Sequence, residues 1–280
     1  MKYALVAASR EVVAVLDDGR LLRLARVFPG GPSTVLDALL DPDLPLRIAL
    51  LPVRDDMTLP AETALDAPIP RPNRILAIGR NYAEHARELG NAVPEEPVVF
   101  LKASSTVVGP GAPVRIPDWV GRVDFEAELM VVIGKGGRAI PVASAMEHVA
   151  GYTCFNDVTA RERAKANQAK GHPWFLPKSL DTFGPMGPVV ATPDEIPDPS
   201  ALNVRLEIDG VVRQDGSTAD MIHTVPELIS HLSRWIALEP GDVVATGTPA
   251  GVGPVVPGET MTVEIAPIGR LTNPVIAESN

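Results

Sequence analysis

The sequence predicts a sheet-rich α+β protein, and three observations carry that expectation. Glycine (23) and proline (29) punctuate short apolar runs along the 280 residues, the pattern of many short strands joined by turns. The segments with helical periodicity do not alternate regularly with those runs, so a doubly wound parallel sheet fits poorly. Hydrophobic residues make up 45% and charged residues 21%, enough apolar surface at this length to bury a core without staples.

The elements follow in order. Ala4 to Ala7 is apolar and follows Lys2, faintly like a leader peptide. It ends at Ser9-Arg10-Glu11, too soon for a leader's apolar region, and so reads as a first strand. Glu11 to Leu16 and Leu21 to Val27 flank Asp17-Asp18-Gly19, a hairpin signature in which Asp-Gly supplies positive φ. Arg47 to Leu51, with Val53, adds a strand candidate. Pro68, Pro70 and Pro72 then alternate; they cannot donate to a ladder and favour an extended linker. The expected division is a small sheet-rich N-terminal domain over residues 1–65, a proline-rich linker over 66–73 and a second domain over 74–280.

In the second part, Ile75 to Ile78 reads as a strand and Asn81 to Leu89 as a short helix, with Asn81 and Glu84 at capping-box spacing. Val123 to Ile133 reads as one strand and Gly151 to Phe155 as another. Val204 to Arg213 is a hairpin turning at Asp209-Gly210. Val225 to Ala237 is an amphipathic helix that Thr224 can cap, with Pro226 in its first turn and Leu228, Ile229, Leu232 and Ile236 on one face. Val243 to Thr246 and Thr260 to Ile265 complete the strands.

Charge narrows the function classes. The formal net charge is −10 and the pI is near 5.0. With no basic tract, nucleic acid and anionic membrane surfaces are disfavoured, because both are bound by neutralising phosphate charge. No apolar run reaches the roughly 20 residues of a membrane span. An anionic small molecule remains open if a local cation holds it. One cysteine, Cys154, excludes an intrachain disulfide and suits a reducing, cytoplasmic setting.

The densest chemistry lies in Val123-Asp124-Phe125-Glu126-Ala127-Glu128-Leu129-Met130-Val131-Val132-Ile133. On a strand, Asp124, Glu126 and Glu128 share one face, and like charges about 7 Å apart repel. The face must be wet or must hold a cation. A solvated outer face fits the spacing, but Val131-Val132-Ile133 is apolar on both faces and runs into a core, where carboxylates need a partner or a metal. Asp157, after Gly151-Tyr152-Thr153-Cys154-Phe155-Asn156, is a third acid; alone, Asn156-Asp157 also reads as a turn or helix cap. Three oxygen ligands would select Mg²⁺ or Mn²⁺ over zinc. His85 and Glu88 are three apart on the expected helix, a pairing that suits a general base, though the spacing alone reads first as an exposed ion pair. Lys178 lies between apolar and turn residues; aimed at a bound anion it would stabilise developing enolate charge. Gly134-Lys135-Gly136-Gly137 lacks P-loop spacing and reads as a hairpin turn.

Taken in order, five segments resemble the fumarylacetoacetate hydrolase family. They are Gly79-Arg80-Asn81-Tyr82-Ala83-Glu84-His85, Phe125 to Leu129, Phe155 to Arg161, Lys178 to Pro185 and Gly241 to Gly253. The resemblance covers roughly residues 73–276 and leaves 1–72 as a variable N-terminal domain. It implies an α+β fold of layered sheets with a β-roll, a homodimer, and a Mg²⁺- or Mn²⁺-dependent enzyme. It assigns Glu126, Glu128 and Asp157 to the metal, His85 and Glu88 to a catalytic dyad on a lid, and Lys178 to the active site. Tyr82, Arg161, Gly247 and Thr248 fall at substrate-binding or site-shaping positions. The implied substrate is a small 2-oxo or β-dicarbonyl acid handled through a metal-held enolate, with hydrolytic C–C cleavage as the reaction. Decarboxylation of an oxaloacetate-type acid, isomerisation of a hydroxydienedioate-type acid, and a silent oxo-acid binding protein are the alternatives. One departure stands out: many relatives carry Gln seven residues after the metal Asp, where this chain has Ala164.

Overall fold

A computed structural model describes residues 1–84 and 94–278, so His85 and Glu88 lie outside the described residues. Among these residues the largest sheet has twelve strands. Ten run in the order Thr58–Leu59, Leu21–Arg23, Val12–Val15, Lys2–Val6, Gly184–Ala191, Val149–Asn156, Ala127–Ile133, Val243–Ala245, Ile75–Gly79 and Val98–Lys102. Leu65–Asp66 and Val107–Val108 pair with Lys2–Val6 and Gly184–Ala191. A five-stranded sheet runs Val211–Ser217, Asn203–Ile208, Thr260–Ile265, Gly269–Glu278 and Val114–Pro117. A three-stranded sheet joins Thr159–Ala160, Val123–Phe125 and Gly253–Val255. This is the layered α+β architecture expected. Among the described residues no helix is long and apolar enough to cross a membrane.

Alternation explains how the layers stack. Along Ala127–Ile133 every residue is buried. Leu129, Val131 and Ile133 join a core with Val204, Leu206 and Val263 of the five-stranded sheet and with Leu228, Ile229 and Leu232 of the Val225–Trp235 helix. Met130 and Val132 face the other way and pack with Ile75, Ala77, Val243 and Ala245 against Leu22, Val35, Ala38, Leu44 and Ile48 of the N-terminal segment. A strand buried on both faces reads as a continuous apolar run, as Val131-Val132-Ile133 does. The Val225–Trp235 helix starts as expected: the Glu227 carboxylate accepts from the Thr224 backbone N–H at 2.7 Å. The hairpin also turns where expected, with Asp209 and Gly210 both at positive φ.

Three local expectations change. Val123 to Ile133 is not one strand: it breaks at Glu126, leaving Val123–Phe125 in the three-stranded sheet and Ala127–Ile133 in the large one. Arg47 to Ala49 belongs to the helix Leu44–Ala49, not a strand, because Leu44 and Ile48, four apart, are the pair buried on the sheet. Leu21 to Val27 is strand only to Arg23; Leu24–Val27 is helical, its Leu24 buried in the same core. The N-terminal strands also pair directly with later chain, Lys2 with Ala191 and Tyr3 with Val190, so the large sheet continues across residues 66–73.

Candidate active site

The site forms where the large and the three-stranded sheets part. At the break, backbone groups lose their ladder partners and side chains replace them. The Asn156 carboxamide oxygen accepts from Glu126 N at 2.9 Å, and the Gln214 carboxamide oxygen accepts from Ala127 N at 2.9 Å. Asp157 N donates to Glu126 O at 2.8 Å, which fixes the end of the Val149–Asn156 strand beside the break. The alternation survives the interruption. Glu126 and Glu128 point to one place, Asp157 meets them there, and one carboxylate oxygen from each lies within 4.8 Å of the others. Asp157 is 1% exposed and Glu128 2%.

Three buried carboxylates need cations, and the fold supplies them from distant parts of the chain. Lys178, from the short helix Phe175–Lys178, places its ammonium 2.7 Å from Glu126 Oε2 and 2.5 Å from Asp157 Oδ2. Lys102, the last residue of an outer strand, lies 2.7 Å from Asp157 Oδ1 and also donates to the Lys178 carbonyl. Arg161 bridges Asp124 Oδ2, at 2.7 Å, and Glu126. Asp124 is thus taken up by Arg161 and Arg122 and does not join the triad. Burial pulls the Lys102 ammonium below the usual lysine range, with Asp157 opposing. For Lys178 burial works the same way, but Asp157 and Glu126 outweigh it and raise its pKa.

Glu128 differs. Among the described residues it has no cationic partner within 4 Å, and the hydrogen bond it accepts comes from Gly247 N at 2.8 Å. Burial, then the Asp157 charge, push its carboxyl well above the usual range. Gly247 is required here: it sits at φ +97°, and a Cβ would come within 2.8 Å of Asn81 Cβ. A cluster of hard oxygen donors, one of them with no cation within 4 Å among the described residues, fits a divalent cation such as Mg²⁺ or Mn²⁺. Glu126, Glu128 and Asp157 are the residues that could hold it.

A cavity of about 470 Å³ opens from this cluster. Of the residues singled out from sequence, Glu126, Glu128, Asp157, Lys178, Arg161 and Thr248 line it. Gln214 holds Thr248 in place, donating to its hydroxyl at 2.8 Å. Tyr82 is not in the lining; it is buried and its backbone bridges to Met221. Asn81, expected as a helix cap, ties three segments together by donating to His223 O and Thr246 O and accepting from His223 N. From sequence Lys102, Phe100 and Trp174 go unnoticed, and Arg80 stands only within the first resembling segment, with no role of its own. Lys102 had a faint signal, since it follows Phe100 at alternate spacing and is the buried end of its strand.

One wall of the cavity is aromatic. The Lys178 ammonium lies 5.2 Å from the centre of the Phe100 ring. Phe100 meets Trp174 edge-on at 5.6 Å, and the Arg80 guanidinium covers the Trp174 ring at 5.3 Å. Gly79 makes room for that wall, since a Cβ there would come within 2.7 Å of the Trp174 ring.

Comparison with known proteins now bears on this geometry. The sequence model described as fumarylacetoacetate (FAA) hydrolase C-terminal matches residues 74–276. The chain is 44% identical over 224 residues to oxaloacetate tautomerase YisK of Bacillus subtilis, covering 76% of this chain and 73% of that one. Its fold superposes on 5-carboxymethyl-2-hydroxymuconate delta-isomerase from Mycobacterium smegmatis with a TM-score of 0.79, 34% identity and complete coverage of both chains. It superposes on fumarylpyruvate hydrolase from Pseudomonas aeruginosa, solved with Mn²⁺ and pyruvate, with a TM-score of 0.71 and 37% identity over 76% of this chain and 91% of that one. The buried acidic cluster, the sheet that presents it and these matches lead to one conclusion: the chain belongs to the fumarylacetoacetate hydrolase family, whose members are enzymes.

Proposed function

We propose that this chain is a divalent-metal-dependent enzyme that acts on a small 2-oxo or β-dicarbonyl acid through its enol form, with hydrolytic C–C cleavage as the reaction. The observation that carries this reading is the convergence of three buried carboxylates beside Lys178 at the floor of one cavity. An ion held by Glu126, Glu128 and Asp157 would supply Lewis acidity to the 2-oxo end of the substrate.

The chain's own residues divide the remaining work. Phe100 and Trp174 keep bulk water from one side of the cavity. Lys178 offers positive charge where enolate charge develops, in surroundings where such a charge counts for more than in water. Arg161 orients Glu126 and presents a cation to the same space. For hydrolysis, His85, supported by Glu88, would take a proton from water as the hydroxide adds to the distal carbonyl. The C–C bond then breaks and its electron pair leaves with the 2-oxo acid fragment as an enolate. The proton held by His85 completes the balance at carbon.

A second reading is keto–enol tautomerisation of a 2-oxo acid, favoured by the 44% identity to a protein named oxaloacetate tautomerase. It needs proton transfer and no attacking water. Metal-stripped protein should be stabilised against heat by Mg²⁺ or Mn²⁺ together with oxalate, and Glu126→Gln should lose that shift. Product analysis on acylpyruvates and oxaloacetate then separates the reactions. Loss of acylpyruvate cleavage in His85→Ala with tautomerisation retained supports both steps as written. Full cleavage in His85→Ala removes the dyad, and binding without turnover across the panel leaves a silent oxo-acid binder.

A further inference from the structure

A second cavity, of about 490 Å³, lies where the Val107–Val108 strand of the large sheet meets the Val114–Pro117 strand of the five-stranded sheet. Among the described residues it shares no lining residue with the first cavity. Pro70 and Arg71, from the stretch of alternating prolines, form one of its walls.

The walls are tied down from several sides. The Ser104 hydroxyl donates to Pro72 O at 2.6 Å, which fixes the proline stretch against the turn after Lys102. The Thr182 hydroxyl accepts from Arg115 N at 2.8 Å, which holds the outer strand of the five-stranded sheet to the loop after Lys178. Thr182 stands at φ +70°, a conformation that a β-branched residue keeps only where its surroundings enforce it. A hollow bounded in this way is formed before a ligand arrives, which lowers the ordering cost of binding.

The lining divides by chemistry. Val107, Val108, Ala112 and Pro113 give a half-buried apolar patch. Arg71 and Arg115 bring two guanidiniums, and Asp181 and Glu278 bring two carboxylates, all four exposed to solvent at the cavity. Among the described residues none of these four side chains forms an ion pair or a hydrogen bond. Opposite charges thus border one hollow without neutralising each other. A polyanion would meet two carboxylates there and a polycation two guanidiniums. A ligand that carries one charge of each sign meets a partner for both. The guanidinium fork matches a carboxylate, a carboxylate accepts from an ammonium, and the apolar patch can cover a hydrocarbon side chain.

We infer that this second cavity is a binding site for a zwitterion, an α-amino acid with an apolar side chain. Arg71 and Arg115 hold its carboxylate, and Asp181 and Glu278 hold its ammonium. The inference goes beyond the proposed function and does not depend on it.

The test uses the metal-free full chain and ligand-observed NMR titration with three probes. L-Phenylalanine carries both charges, 3-phenylpropanoate lacks the ammonium and 2-phenylethylamine lacks the carboxylate. The wild type should bind phenylalanine with a Kd of about a millimolar or tighter, the scale of a ligand of this size at an open site. Each single-charge probe should bind about fivefold or more weakly, and raising salt should narrow that gap. Arg115→Gln and Arg71→Gln should each remove most of the advantage of phenylalanine over 2-phenylethylamine. Asp181→Asn should remove most of its advantage over 3-phenylpropanoate. All three substitutions fall on exposed side chains, so Tm should hold.

Equal affinity for the three probes overturns the inference, since contact with the apolar patch would then explain the binding. Binding of 3-phenylpropanoate as tight as that of phenylalanine overturns the zwitterion and leaves a plain anion site. Discrimination that all three variants retain overturns the placement in this cavity, and no binding of phenylalanine up to about 10 mM overturns the site itself. None of these outcomes touches the proposed function, whose failure is read separately, as loss of the thermal shift with metal and oxalate.

Discussion

The two ends of the run Glu126 to Ile133 are held by opposite means. At Val131, Val132 and Ile133 the chain is apolar on both faces, and neighbours from two layers surround it. A few residues earlier the same run of chain carries buried carboxylates, Glu126 steadied by Arg161 and Lys178 and Glu128 by the backbone N–H of Gly247. Packing is non-directional and tolerates no charge; the acidic end is directional and would repel itself without partners. The strand therefore anchors at one end and presents chemistry at the other. Damage at the two ends should separate cleanly into lost stability and lost function.

The largest expected effect comes from Glu126→Gln. With the metal set incomplete, turnover should fall by at least about a hundredfold, the lower end for removing one pre-organised charged group. Metal affinity should fall with it in a titration. Removing this charge also leaves Arg161 and Lys178 short of a partner, so the metal-free protein should lose stability.

Leu129→Ala tests the packed face. It should cost about 2–5 kcal/mol in denaturant unfolding with the metal midpoint unchanged. A comparable loss of metal affinity would show that the two ends are not independent.

Gln214→Leu probes the join between them. It removes the acceptor for Ala127 N and the donor to Thr248, so it should cost about 1–3 kcal/mol and weaken ligand binding modestly.

The smallest effect concerns pH. Glu128 has a raised pKa in the folded metal-free protein, so its folded form binds a proton more readily than its unfolded form. The stability this provides is fully present below the ordinary carboxylate pKa of 4.5 and is lost as pH rises through the higher folded value. Metal-free protein should thus lose a few degrees of Tm, at most, as pH climbs through that window. Glu128→Gln should flatten the slope. An unchanged slope would show that Glu128 is already compensated without metal.

Much of this was legible in the chain. Alternation placed Glu126 and Glu128 together, and the apolar tail of the strand placed them at the edge of a core. The Asp209-Gly210 turn and the helix after Thr224 were legible because they rest on local backbone chemistry. The break at Glu126 was not, because a strand that leaves one sheet and enters another keeps its period of two. The helix at Leu44–Ala49 does not show in the sequence because the short apolar run Ile48 to Leu51 cannot separate one period from the other. Lys102 looked like an ordinary strand end until the fold put it 2.7 Å from Asp157.

The sequence by itself determined which groups are available and how they alternate: three acids at strand spacing, the lysine after Pro177, the glycine that follows Thr246. Those are properties of neighbouring residues, and local sterics and periodicity decide them. Tertiary structure alone decided which charges meet. Lys102, Asp157 and Lys178 are far apart along the chain, and their pairing depends on the order of strands in a sheet. The same holds for Arg80, whose seat on Trp174 exists because Gly79 lets a distant ring come close. Coulomb energy depends on distance and on surrounding dielectric, and only the packed chain sets either.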